Sequence, residues 1–310
     1  MESGTDGAAT VGWRRVAPRG GHVGATDGGN PAFRGPAGRQ SRCVDLARVG
    51  CHFRAEMNYD LTRLLQSWPY QPGQVAAKRF KGRDGRQKIQ LRVDLGVLQM
   101  NAEGRPDGKR PLGMESWYHV VVARLEEHRA THAGSEDDFE VGPEECGKLQ
   151  QECIQYHHRY ICLFQLEDFA GVETDCERNL KVFEFVARHA PTEEAAWSLL
   201  QFIPQLLMMR TRARGTAALK QDRFDDALLL IGDGIAELER FYTENERPQM
   251  TEGSPELASL REWLSQISVR RPISEVERLE RDLAEAIRSE DYERAARVRD
   301  QIKKHQTSGS

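Results

Sequence analysis

Three short stretches built on one pattern constrain this chain more than any other feature. Each has an acidic turn, then an aromatic residue, then a small or β-branched residue three positions on. They are Glu167-Asp168-Phe169 with Val172, Asp222-Arg223-Phe224 with Ala227, and Glu290-Asp291-Tyr292 with Ala295. Apolar residues at helical spacing flank each one, so each reads as the elbow between two antiparallel helices. From Met114 onward the pattern is helical, and Pro191, Pro204, Pro248, Pro255 and Pro272 cut the chain into pieces of helix length. Tyr118, Val121, Val122 and Leu125 fall on one face, a polar loop runs from Ala133 to Val141, and Gly142-Pro143 opens a long helix. Proline fits such a first turn because its missing N–H has no helical partner to lose.

The middle copy is the clearest. Gly215, Ala218, Phe224, Ala227, Ile231 and Gly234 recur at offsets 0, +3, +9, +12, +16 and +19. Small residues at such places let two helices approach, and the aromatic fills the elbow. This arrangement resembles the tetratricopeptide helix-turn-helix. Tyr160, Leu163, Val172 and Cys176 fit the same offsets more loosely around Phe169, and a helix at about 193–203 separates the two copies. The expectation is a TPR-like helical array over about 143–245, with a generic helical bundle as the alternative. Stacked helical hairpins offer a groove to partners and supply contact, not catalysis.

The only β signal spans residues 74–101. Ile89, Leu91, Val93, Leu95 and Val97 alternate with Gln90, Arg92, Asp94 and Gly96, placing five apolar side chains on one strand face. Val75 to Lys81 can pair with this strand through the turn Gly82-Arg83-Asp84-Gly85, and the alternation slips after Gly96 as at a bulge or strand break. Neither GxxxxGK[ST] nor GxGxxG occurs here, so nothing marks a nucleotide site.

Residues 1–56 differ in texture. Gly, Arg and Ala supply 27 of the 56 positions, with no Lys, no Ile and one Leu, and no apolar periodicity. Such a segment cannot bury enough surface to offset its ordering entropy. It is expected to be a disordered leader, or translated upstream sequence with Met57 the true start. The whole chain has 44 Lys+Arg against 48 Asp+Glu. Without the first 56 residues, 36 basic face 43 acidic groups, a balance that argues against sequence-independent nucleic-acid binding. No apolar run reaches membrane-span or signal-peptide length, and six cysteines without CxxC spacing point to a reducing cytoplasm.

The most specific signal is at the C-terminus, residues 272–304. Ser274 and Glu277 have capping-box spacing, and Val276, Leu279, Leu283 and Ile287 form the apolar stripe of a first helix. A second helix follows Glu290-Asp291, with Tyr292, Ala295, Ala296, Arg299 and Ile302 as its packing face. Leu279-Glu280, Leu283, Ala286-Ile287, Glu290-Asp291-Tyr292-Glu293, Ala295-Ala296, Arg299-Asp300 and Ile302 closely resemble the UVR domain. Through that helical hairpin the B and C subunits of the bacterial UvrABC excision nuclease bind each other. The domain also occurs in Clp-type protease ATPases and in regulators of protein-arginine kinases, so the resemblance implies an interaction module and not a pathway. It implies a protein partner, which can itself be another such hairpin, docked on Leu279, Leu283, Ile287, Tyr292, Ala295, Ala296, Arg299 and Ile302. A hairpin of about 33 residues is below the size at which a chain usually stands alone, about 40 residues, so its stripe needs something to cover it.

Two helical i,i+4 pairs, Cys153/His157 and His158/Cys162, have the chemistry of metal ligands. They point in different directions around one helix and cannot form a single four-ligand site, so packing is the expected role. GxSxG, HExxH and a cysteine-protease context are all missing. The expectation is therefore a mainly α cytoplasmic protein without catalytic activity, metal or cofactor. It has a disordered leader (1–56), a small α/β region with a β-hairpin (57–113), a TPR-like array (114–271), a UVR-like antiparallel helical hairpin (272–304) and a disordered tail (305–310). Its function is to dock a protein partner, with roles in nucleotide excision repair or in regulating a Clp-type protease or chaperone as the specific alternatives.

Overall fold

The computed structural model describes residues 60–272 and 275–308; the leader expected at 1–56 and Ser274 of the capping box lie outside them. The protein is mainly helical, with a small three-stranded antiparallel sheet near the start and a helix pair at the end. The described residues form two units, 60–168 with 181–200, and 169–180 with 201–272 and 275–308.

The first unit begins with helix α1 (Thr62–Ser67) and strands β1 (Ala76–Lys81), β2 (Gln87–Val93) and β3 (Gly96–Asn101), paired in the order β1-β2-β3. The expected hairpin is present, with Ala77 opposite Leu91 and Arg79 opposite Ile89. The five-residue apolar face is not. The chain reverses at Asp94-Leu95, Val93 pairs with Gly96, and Leu95 sits at the tip with 89% of its surface exposed. The slip after Gly96 is thus a third strand. Arg92, itself buried, holds this turn together: it donates to the carbonyls of Val93, Asp94 and Gly96, and its Nε donates to Trp68 O at 2.7 Å.

Ile89, Leu91 and Met100 are buried on one sheet face, and helix α3 (Pro143–Gln165) packs against β1 and β2. Gln165 Oε1 accepts from Ala77 N at 3.2 Å, and Arg159 donates to Gly104 O at 2.6 Å. Glu145 reaches back from the first turn of α3 to Gly142 N at 3.3 Å, satisfying a donor that the helix leaves open. Helix α2 (Trp117–Thr131) starts at Ser116, whose hydroxyl accepts from His119 N, and buries Val121 and Leu125. Helix α4 (Phe169–His189) begins in the second unit and ends in the first, where α5 (Glu193–Leu200) follows.

The second unit is built on α6 (Ile203–Leu219), α7 (Phe224–Glu244) and α9 (Pro255–Arg270), with the short α8 (Met250–Gly253) between the last two. Arg210 pairs with Glu237, Thr211 abuts Gly234 and Gly215 lies beside Ile231, so α6 and α7 run antiparallel. The glycines are needed. A Cβ at Gly234 would overlap Thr211, and one at Gly215 would meet Trp263 of α9 at 2.6 Å. The expected small residues thus sit where helices touch. Arg214 donates to Glu173 at 2.6 Å and to Glu177 at 2.9 Å, joining α6 to the first part of α4. The chain ends in α10 (Glu275–Arg288) and α11 (Tyr292–Ser308), so the tail expected at 305–310 begins as helix.

All three elbows share one geometry. Glu167, Asp222 and Glu290 are left-handed, with φ of 62°, 56° and 59°. The next amide in each bonds back five residues, Asp168 N to Leu163 O, Arg223 N to Ala218 O and Asp291 N to Ala286 O, at 2.9, 3.0 and 2.9 Å. Glu167, Asp222 and Glu290 also donate to Phe164, Leu219 and Ile287 O, which completes a Schellman closure at each helix end. The motif usually places glycine at this position; here acidic residues occupy it three times.

Candidate partner-docking site

The C-terminal hairpin turns at Ser289-Glu290-Asp291. Asp291 Oδ1 accepts from Arg294 N at 3.0 Å and so caps α11, which the sequence starts with an acidic residue for that reason. The two helices run antiparallel, with Arg294 lying 3.8 Å from Asp282 across the pair. Ala286 and Ala295 are buried beside the turn, where their size allows close approach. Further along, Leu279, Val298 and Ile302 form a small apolar core, with Leu283 packed against it.

The expected docking residues therefore divide. Leu279, Ala295 and Ile302 are buried within the hairpin and Leu283 is half-buried, so these four hold the two helices to each other. Ile287, Tyr292, Ala296 and Arg299 face outward, Ile287 with 55% and Tyr292 with 70% of its surface exposed. The packing face of α11 is Ala295, Val298 and Ile302, not a stripe through Arg299. The signal for Val298 was its i+3 spacing from Ala295. Arg299 instead pairs with Asp300 beside it at 2.9 Å. The side chain of Val276 lies outside the described residues.

Charge is unevenly shared between the helices. α10 has five acidic and three basic residues, whereas α11 has two acidic and five basic. A hairpin with an acidic helix, a basic helix and two exposed apolar side chains beside its turn has the makings of a contact surface.

The histidine and cysteine side chains on α3 are used otherwise. His157 Nδ1 is 2.6 Å from the Tyr160 hydroxyl, and burial lowers the pKa of both His157 and His158. Burial pushes the Cys162 thiol up to about 12 and that of Cys176 higher still. Among the described residues, no three His, Cys, Asp or Glu side chains converge as a metal site would require. None of the described helices is long and apolar enough to cross a membrane.

Comparison with known families places the hairpin. Residues 273–307 match the UVR family, described as the UvrB/uvrC motif, and the match coincides with α10 and α11. Neither a curated protein nor a solved structure matched the chain. This is a helical protein that carries a UVR hairpin at its C-terminus.

Proposed function

We propose that the chain is a non-catalytic cytoplasmic adaptor that holds a protein partner on the turn end of its UVR hairpin. The observation that carries this reading is the pair Ile287 and Tyr292, exposed on either side of the turn in a segment that matches an interaction motif. The buried residues of the hairpin maintain its shape, and the exposed pair supplies the apolar contact that binding hot spots usually require. The opposite charges of α10 and α11 favour a partner that presents a similar hairpin, since an acidic helix can then face a basic one across the interface. TPR-like stacking of the remaining helices would give the adaptor a second contact surface, in keeping with the glycine-lined approach of α6 and α7.

A role in excision repair is the second reading, favoured by the description of the matched motif. Regulation of a Clp-type ATPase is separated from it by the identity of the partner. Tagged full-length protein and a version ending at Arg271, compared in pull-downs from native lysate, test the proposal. A protein retained only by the full chain supports hairpin docking, and its identity selects the pathway. Identical catches from both versions would refute it.

A further inference from the structure

Without the first 56 residues the net charge is -7, and it hides a division. Residues 60–113 carry 11 Lys+Arg against 5 Asp+Glu, whereas residues 114–310 carry 25 against 38. The balance that counts against nucleic acid is therefore a sum over two regions of opposite sign. At 0.1 M salt, charges more than about 10 Å apart are largely screened, so local charge decides local binding.

The basic region has a face to present. With Ile89, Leu91 and Met100 turned inward, the strand register puts Lys78, Gln90 and Gln99 side by side on the other sheet face. Phe80, Lys88 and Asn101 form the adjacent row. Lys78 and Gln99 are exposed, and Phe80 is only partly buried between the two lysines. Gln90 Nε2 donates to Gln99 Oε1 at 3.0 Å, which leaves the amide group of Gln99 free to donate outward. Asp84, Arg86, Lys88, Gln99, Asn101 and Asp107 are among the residues that line an open, largely polar depression of about 290 Å³. Lys88 is held there by Asp84 at 2.8 Å. In the β1–β2 turn beside it, Arg83 and Arg86 are exposed, and no described carboxylate forms an ion pair with either, whereas Lys81 ends β1 on the opposite face, in register with Gln87.

We propose that this sheet face binds single-stranded nucleic acid. Arg83 and Arg86 neutralise phosphates, Phe80 offers a ring against which a base stacks, and the Gln99 and Asn101 amides meet base edges. Aromatic rings set in a positively charged groove are the general means by which proteins hold single strands. An acidic protein segment would use the cations but would have no need of a ring and amides among them. The site is independent of the hairpin, so its success or failure leaves the docking proposal untouched.

Fluorescence anisotropy of the full chain with labelled oligo-dT and oligo-rU, titrated across salt concentration, tests the inference. Saturable binding to either strand supports it, and the tighter of the two identifies the natural chemistry. The R83E/R86E variant changes only exposed turn residues, and its melting curve checks that it is folded. Expected are at least a tenfold loss of affinity and a salt slope shallower by about 1.4, at roughly 0.7 for each single-strand phosphate no longer neutralised. Phe80→Ala should weaken binding about tenfold with the salt slope unchanged, as loss of stacking predicts. No saturable binding, a folded double variant that binds as before, or equally effective competition by oligoglutamate of matched charge would each overturn the proposal.

Discussion

Glu152 of α3 caps another helix: its Oε2 accepts the backbone N–H of Trp117, at the start of α2, at 2.8 Å. The carboxylate is fully buried, and Arg105 Nε lies 3.2 Å from the same oxygen, close enough for an ion pair though not aligned as a hydrogen bond. A negative charge at a helix N-terminus is favourable in itself, and here it also neutralises a nearly buried guanidinium. Removing it would leave the amide without its acceptor and the nearly buried guanidinium with Asp107 alone, whose Oδ1 is 3.3 Å from Arg105 Nε. Glu152→Ala is expected to destabilise the protein by about 3 kcal/mol, the range for breaking one side of a buried pair. Glu152→Gln keeps an acceptor and should cost less. Denaturant midpoints of the two variants check the order.

The three left-handed elbows carry a conformational cost that glycine would remove. L-residues are disfavoured in this region by roughly 1–2 kcal/mol, partly offset by glycine's greater freedom in the unfolded chain. Glu167→Gly, Asp222→Gly and Glu290→Gly should therefore each stabilise their hairpin by about 0.5–1 kcal/mol. Thermal unfolding is the measurement. A loss of stability would mean that the acidic side chains at these places make contacts worth more than the strain.

The thiols should differ in reactivity. Burial raises the pKa of Cys146, Cys162 and Cys176, which suppresses the thiolate that attacks alkylating reagents. Cys146 is only half-buried, whereas Cys162 and Cys176 are fully enclosed. Iodoacetamide at neutral pH, followed by peptide mass mapping, is expected to label Cys146 slowly and to leave Cys162 and Cys176 untouched until denaturant is added.

Glu136 should make the first unit sensitive to acid. Hydrogen bonds from Arg129 and from His189, the latter at 2.9 Å, hold its pKa below the ordinary 4.5. A carboxylate with a lowered folded pKa contributes stability above its unfolded value, and that contribution is lost as pH falls through the folded one. Stability of the wild type should thus begin to fall below about pH 4.5, and Glu136→Gln should flatten that part of the curve. Melting temperature against pH, for both proteins, checks the sign.

Much of the helical architecture was legible in the sequence because its signals are local. Gly142-Pro143 marks the start of α3, the acidic elbows mark three helix ends, and Gly215 and Gly234 sit where helices touch. What was missed depends on contacts far along the chain. Alternation from Ile89 to Val97 looked like one strand, because a two-residue turn at Asp94-Leu95 preserves the rhythm while reversing direction. Its stabiliser, Arg92, is a buried charge that binds backbone carbonyls, and no spacing rule reveals such a role. Glu152 gave a faint sign, lying on the same stripe of α3 as Leu149, Cys153 and Tyr156. In the hairpin the sequence reading stepped four residues on from Ala295 where the packing steps three, which exchanged Val298 for Arg299. That exchange changes the choice of test. Leu283 packs on the hairpin's own core, so an aspartate there would disrupt the hairpin as well as any contact it makes.

The central claim is tested most directly with the exposed pair. Full-length Ile287→Asp/Tyr292→Ser, compared with wild type in pull-downs and checked by circular dichroism for unchanged helicity, separates docking from folding. A partner retained by wild type and lost by the folded double variant is the expected result. The same partner held equally by both would contradict the account.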